Sequence, residues 1–230
     1  KFCATSKLKR IRTLNPDEIF DQASTINLQS KFYYNRPISN IVFMGMGEPL
    51  LNYINLIEGI NKITSKDGLG MSPKRITVST SGISKLIIKM ADENVKFNLA
   101  VSLHSAVEKT RNKIMPFTIK FPLTDLKEAI KYWYNKTQKI VTYEYIVWKG
   151  INDDMNHINA LVDFCKSSPS KVNIIEYNKT SNDFFISADD SIIKKYIEEL
   201  ESNRIPVTIR KSRGKDIDAA CGQLANKLKQ

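Results

Sequence analysis

Apolar, β-branched runs alternate with stretches of helical period along nearly the whole chain, and this alternation narrows the possible folds more than any other feature. The strand candidates are Ile38 to Gly45, Arg75 to Thr80, Phe97 to His104, Ile140 to Val147, Lys171 to Tyr177 and Pro206 to Lys211. Between them lie helix candidates Pro16 to Lys31, Tyr53 to Thr64, Ile83 to Asp92, Leu123 to Tyr134, Asp153 to Lys166 and Asp189 to Ser202. Helix-start chemistry stands at Asn15-Pro16-Asp17-Glu18 and at Asp153-Asp154. Runs such as Ile41-Val42-Phe43-Met44 and Asn173-Ile174-Ile175 are nearly continuous in apolar residues, which predicts burial on both faces, as in a parallel sheet covered by helices. A loop and a helix come first, so a strand is expected ahead of residue 1. The expected fold class is α/β: a partial (β/α) barrel of parallel strands with outer helices, its first strand missing. No linker or shift in composition marks a second domain, so residues 1–230 are expected to form one core domain.

A chain of 230 residues that is 42% hydrophobic buries a full-sized core. Its formal charge of +11 comes from lysines and arginines spread along the length, hence from the surface and not from a tail. A polyanion partner and a solubilising Lys-rich surface both account for it. Three cysteines, Cys3, Cys165 and Cys221, are too sparse a set for a secreted disulfide scaffold and point to a reducing cytoplasm. No leader pattern and no apolar run of membrane-spanning length occurs, so no membrane partner is expected. Residue 1 is lysine rather than methionine, and more chain is expected upstream.

In barrels of this kind the chemistry sits at the carboxyl ends of the strands. Those ends read Gly45-Met46-Gly47-Glu48-Pro49, Ser79-Thr80-Ser81-Gly82, Ser102-Leu103-His104-Ser105, Lys149-Gly150-Ile151-Asn152 and Glu176-Tyr177-Asn178. Hydroxyls, an amide, a carboxylate and glycines thus gather at one rim, suited to a polar small molecule. The glycines of the first loop let backbone pass close to a ligand, and Glu48 can pair with an ammonium group; a tight turn with a surface Glu is the plain alternative. The third glycine and downstream acid of a dinucleotide fingerprint are absent.

His104 and His157 are the two histidines. His104 reads as a contact residue rather than a catalyst, and His157, inside a helix with no thiol or carboxylate at ligand spacing, does not make a metal site with it. Cys221 follows Asp216-Ile217-Asp218-Ala219-Ala220; if Asp218 caps a short helix, the thiol falls in the first turn, where backbone N–H groups favour the thiolate. A buried, inert cysteine is the alternative there. Cys165, on an apolar helix face, reads as core. Spacing alone gives Cys3 no role.

Together these segments resemble the RlmN-type radical S-adenosylmethionine methyltransferases, which methylate carbon 2 of an adenine in 23S ribosomal RNA and in some transfer RNAs. The resemblance spans nearly the whole chain. It rests on Lys1-Phe2-Cys3-Ala4-Thr5, Phe43 through Asn52 with its Gly-Met-Gly-Glu-Pro, Val78-Ser79-Thr80-Ser81-Gly82, Val101-Ser102-Leu103-His104, Met115-Pro116 and, most specifically, Gly214 through Leu224. It implies that Cys3 is the third cysteine of a loop holding a [4Fe-4S] cluster, with two more ahead of residue 1. It further implies that Gly47, Glu48, Ser79, Ser102, Leu103, His104 and Asn178 contact S-adenosyl-L-methionine, and that Cys221 is the catalytic methyl carrier.

Carbon 2 of adenine is electron-poor, so direct displacement on a sulfonium methyl is closed to it and a radical route is required. In the family one S-adenosylmethionine methylates the carrier thiolate by displacement. A second, bound at the cluster, gives a 5′-deoxyadenosyl radical that activates the methyl, and a cysteine from the upstream part releases the adduct. The base must leave its stack, so RNA is gripped by phosphate contacts, for which Arg210, Lys211 and Arg213 are candidates. The resemblance also implies an electron donor such as flavodoxin and a monomer. Two features depart from it or qualify it. Ser6 to Arg12 lacks the glycines expected after the cysteine loop, and the Cfr-type sibling branch, which methylates carbon 8, shares most of the motifs, with Pro49 favouring carbon 2; a catalytically inactive RNA-binding fragment is the alternative from a different class.

Overall fold

The computed structural model describes residues 1–3, 5, 9–179, 185–212 and 223. The repeat is present as helices α1 (Pro16–Tyr34), α2 (Tyr53–Thr64), α3 (Ser84–Asp92), α4 (Glu108–Ile114), α5 (Leu123–Thr137), α6 (Met155–Cys165) and α7 (Asp190–Ser202), with strands β1 (Ile41–Phe43), β2 (Ile76–Thr80), β3 (Asn98–Ser102), β4 (Val141–Tyr145), β5 (Ser170–Ile175) and β6 (Val207–Arg210). The strands follow one another in the sheet in chain order, β1 to β6, and the pairs β1/β2, β4/β5 and β5/β6 run parallel. Sequential parallel order with helices between the strands is the order of a β/α barrel.

The chain divides into two compact units, one of residues 10–80 and 95–100, the other of residues 1–9, 81–94 and 101–230. In the first, α1 starts on a capping box: the Asn15 side chain accepts from Glu18 N at 2.9 Å and Glu18 Oε2 accepts from Asn15 N at 2.9 Å, with Pro16 in the first turn. Helix α2 buries Leu56, Gly59, Ile60 and Ile63, one helical stripe. A Cβ on Gly59 would stand 2.6 Å from Ile19 Cγ2, so glycine is what lets α1 and α2 pack this closely. In the second unit, Leu126, Ala129, Ile130 and Trp133 of α5 pack with Ile87 and Met90 of α3, all fully buried, and Tyr132 OH donates to Asp92 Oδ1 at 2.5 Å.

Observed strands are shorter than the apolar runs predict, because their ends are used for other bonds. Ile38 donates its N–H to Asn27 Oδ1 of α1 rather than to a neighbouring strand, and His104 turns the chain with φ 54°. Burial on both faces holds for β2 and β4 but not for β1 or β6, where Val42 and Ile209 are about half exposed. Those two strands stand at the ends of the described sheet, and a terminal strand has a sheet neighbour on one side only. Helix α4 is absent from the sequence expectations, because seven residues are too few for a periodic signal.

Candidate functional site

The strand carboxyl ends in the larger unit are joined by a polar scaffold and an aromatic cluster. Leu103 N and His104 N both donate to Glu144 O of β4, at 3.0 and 3.3 Å, so the loop after β3 is held against β4. Ser105 N donates to Leu103 O at 2.7 Å, closing a three-residue turn on His104 at φ 54°. An L residue is seldom found there, at a cost of about 1–2 kcal/mol, and further bonds hold it. His104 O accepts from Asn152 Nδ2 at 2.8 Å, and His104 Nδ1 accepts from Ile146 N at 3.2 Å. Because a backbone N–H only donates, the ring is neutral with its proton on Nε2. Burial, and then the Arg111 guanidinium, push its pKa down to about 3.

Arg111 of α4 is fully buried. Its Nη2 donates to Ser81 O at 2.6 Å and its Nε to Leu103 O at 3.2 Å, so one guanidinium ties the residue after β2 to the end of β3. Burial lowers its pKa to about 10, which still leaves it charged at neutral pH.

Two aromatic rings contact His104, and two more join them around Trp148. Phe2 packs edge-on to His104 at 4.9 Å, Trp148 lies 5.8 Å away, and Trp148 in turn contacts Phe2, Tyr177 and Phe185 at 4.9, 5.9 and 5.1 Å. This cluster draws together the neighbours of three predicted site residues: Phe2 adjoins Cys3, Tyr177 adjoins Asn178, and His104 is itself one. Asn178 Nδ2 donates to Ser212 Oγ at 2.7 Å, and Ser212 N donates to Glu176 Oε2 at 3.2 Å, linking the ends of β5 and β6. Trp148 Nε1 is buried without a hydrogen-bond partner among the described residues.

Behind this rim Glu144 is buried, with Oε1 accepting from Asn173 Nδ2 at 3.0 Å and Oε2 3.8 Å from Arg210 Nη1. Burial raises its pKa, opposed by Asn173, Arg210 and Lys171. Arg210, a predicted phosphate contact, is thus also the counter-charge of an internal carboxylate. Arg213 and Cys221 lie outside the described residues, while Gln223 Nε2 donates to Lys179 O at 3.5 Å.

In the smaller unit Gly47 has φ 90°, and a Cβ there would meet nothing within 4 Å, so its glycine serves backbone conformation and open approach rather than packing. Glu48 Oε1 accepts from Leu50 N at 3.1 Å and caps the 3₁₀ turn Pro49–Asn52. Ser79 is buried at the end of β2. An open cleft of about 440 Å³, lined by Asn27, Lys31, Ile38, Met71, Ser72 and Arg75, lies at the amino ends of β1 and β2, away from these residues.

His157 lies inside α6 as the sequence predicts, but a carboxylate stands beside it. Asp154, three residues earlier, places Oδ1 2.8 Å from His157 Nδ1, and Thr110 Oγ1 lies 3.0 Å from Nε2. A carboxylate does stand at reach, but as the helix cap of α6, and the three groups tie α4 to α6. Cys165 is core as expected, its thiol pushed up to about 12 by burial. No group of three or more His, Cys, Asp or Glu able to hold a metal occurs among the described residues. Glu144, Arg111 and Asn152 carry the scaffold. A Glu between Tyr143 and Tyr145 is the one signal in the sequence for the first, and Asn152 falls within a rim segment without standing out.

Sequential parallel strands with helices between them define a β/α-barrel core, with polar and aromatic groups at the strand carboxyl ends of the larger unit. The chain belongs to the Radical SAM superfamily, whose family model matches residues 1–162. It is 65% identical over 226 residues to a probable dual-specificity RNA methyltransferase RlmN of Flavobacterium psychrophilum, covering 98% of this chain and 65% of that protein. It is 39% identical to a protein of the same name from Thermus thermophilus, over 99% of this chain and 64% of that one. A radical SAM methyltransferase structure from Sphaerobacter thermophilus superposes with a TM-score of 0.93 at 33% identity, covering 96% of this chain and 65% of that one. The chain thus spans just under two thirds of the length of these relatives. Among the described residues no helix is long and apolar enough to cross a membrane.

Proposed function

We propose that this chain is the core of a radical S-adenosylmethionine methyltransferase that modifies carbon 2 of an adenosine in 23S ribosomal RNA and in transfer RNA. The observation that carries the reading is the convergence of Phe2, His104, Trp148 and Tyr177 at the strand ends, beside Cys3 and Asn178. Relatives of 65 and 39% identity bear the RlmN dual-specificity name, which favours carbon 2 over carbon 8.

The residues of the larger unit's rim fit S-adenosylmethionine. Ser102 and Asn178 offer polar groups, His104 offers one N–H, and Trp148 Nε1 is a buried donor in want of an acceptor. Leu103 and, in the smaller unit, Gly47, Glu48 and Ser79 are contacts that the family resemblance alone implies. Bound at these residues, S-adenosylmethionine would supply the methyl group, and Cys221 is the proposed carrier. The described residues do not by themselves fit a four-iron cluster, which takes three thiolates from such a loop. Cys3 is one, and Cys165 is committed to the core. The other two would have to come from residues beyond those described.

The charge of +11 suits an RNA partner. Arg210 and Lys211, at the end of β6, are the proposed phosphate contacts. A cytoplasmic monomer served by a flavodoxin-like donor completes the reading. The test is to produce the gene's complete product in a host lacking this modification and to analyse nuclease digests of its 23S RNA by mass spectrometry. The expected result is 2-methyladenosine, lost in Cys221→Ala. Only 8-methyladenosine, or methylation retained in Cys221→Ala, would sink the reading.

A further inference from the structure

Asn152, in the loop after β4, is fully buried and uses its whole amide on backbone. Nδ2 donates to His104 O at 2.8 Å and to Ile146 O at 2.9 Å, while Oδ1 accepts from Trp148 N at 2.7 Å. Its own carbonyl accepts from Tyr196 OH of α7 at 2.5 Å. His104 and Ile146, whose carbonyls share this amide, are also the two residues joined by the Ile146 N–H bond to His104 Nδ1. One side chain thus fixes the spacing across which that bond is made.

We propose that Asn152 is a positioning residue for S-adenosylmethionine: by holding the His104 and Ile146 carbonyls on one amide it keeps Ile146 N–H donating to His104 Nδ1, so that the imidazole meets the ligand as an Nε2–H donor. The inference rests on the proposed contact between His104 and S-adenosylmethionine.

The tautomer matters because a neutral imidazole with its proton on the other nitrogen would present an acceptor where a donor is needed. The turn on His104 makes the control necessary. At φ 54° an L residue stays only while its neighbours hold it, and without Asn152 the His104 and Ile146 carbonyls lose a donor inside a buried loop. Relaxation of that turn to negative φ would swing the ring off Ile146 N–H. Aspartate would set a carboxylate against two carbonyls, and serine is too short to bridge them, so asparagine is the side chain that meets two carbonyls and one N–H together.

The test reads the tautomer itself. Long-range ¹H–¹⁵N spectra of the 230-residue chain contain two histidines, and His157 serves as internal reference with the opposite pattern, its Nδ1 bonded to the Asp154 carboxylate at 2.8 Å. A His157→Gln sample assigns the two. In the wild type His104 should show a protonated Nε2 and a bare Nδ1. In Asn152→Ala its two nitrogens should move toward averaged positions, while His157 stays unchanged and reports an intact fold. Should Asn152→Ala fail to fold, Asn152→Ser, which retains one donor, should show the same change in smaller measure. Equilibrium dialysis of the gene's complete product with labelled S-adenosylmethionine should show binding weakened about tenfold in the variant, the effect of one lost hydrogen bond. A His104 that keeps a single Nε2–H tautomer in a folded Asn152 variant would overturn the clamp. Averaging of the tautomer with unchanged affinity would overturn its link to binding. Equal affinity of the gene's complete product and its His104→Asn variant would overturn the His104 contact and leave the clamp standing.

Discussion

Lowering the pH from 7.5 to 5 should cost the unit that contains His104 about 2 kcal/mol, and most of that cost should disappear in His104→Asn. The ordinary imidazole pKa of 6.5 is pushed down to about 3 in the fold, chiefly by burial. Between those values the unfolded chain takes up a proton that the folded ring refuses. The unfolded state therefore binds more protons, and stability falls as pH falls through the window from 6.5 toward 3. At pH 5, roughly 1.5 units below the unfolded value, a slope of about 1.36 kcal/mol per unit gives about 2 kcal/mol. The ring is almost wholly buried, so solvent screening takes little from this figure. Asparagine is the replacement because it tolerates a left-handed φ such as the 54° at this position and carries an oxygen able to accept from Ile146 N. Urea unfolding at several pH values, followed by tryptophan fluorescence, reads the right part of the molecule, since Trp133 and Trp148 are both fully buried in that unit. Groups titrating in both proteins cancel in the difference. Equal losses of stability in the wild type and in His104→Asn would refute the assignment of a neutral, buried ring.

Glu144 should act with the opposite sign. Its raised pKa means the folded carboxyl keeps a proton that the unfolded one gives up, so its contribution is lost as pH rises through the folded value, and the stability of Glu144→Gln relative to the wild type should be greater at pH 8 than at pH 5 in the same urea series. Arg111→Ala removes a buried donor from the Ser81 and Leu103 carbonyls and should cost roughly 2–4 kcal/mol, seen as a lowered thermal midpoint by circular dichroism. Asn15→Ala removes one arm of the α1 capping box and should cost about 1 kcal/mol by urea unfolding; a change under a few tenths would show that the helix start is held by other means.

The same few residues show how far the sequence can be read. The positions of six helices and six strands are legible because apolar periodicity is local, and α2 begins and ends where its pattern does. The capping box at Asn15 to Glu18 is legible for the same reason. Apolar runs overstate strand length, since whether Ile38 bonds to a strand or to Asn27 depends on a helix eleven residues upstream. In the sequence Glu48 reads as available to an ammonium group, whereas its carboxylate also caps its own turn, a competition that becomes visible only when the backbone is in place. His157 reads as lacking a partner at ligand spacing, yet Asp154 reaches it because a helix cap and the third helical residue lie side by side.

The sequence by itself determined the class of fold and the family pattern, because these depend on residue type, order and spacing. The tertiary structure alone decided which groups at the strand ends of the larger unit are committed to one another. Arg111, Glu144 and Asn152 are ordinary polar letters in the chain. They acquire roles because burial removes water as an alternative partner and leaves each donor or acceptor the nearest group across a loop, at a distance no linear spacing encodes. In the sequence His104 is one candidate contact among several; folded, it is a buried ring whose Nδ1 accepts from Ile146 N–H.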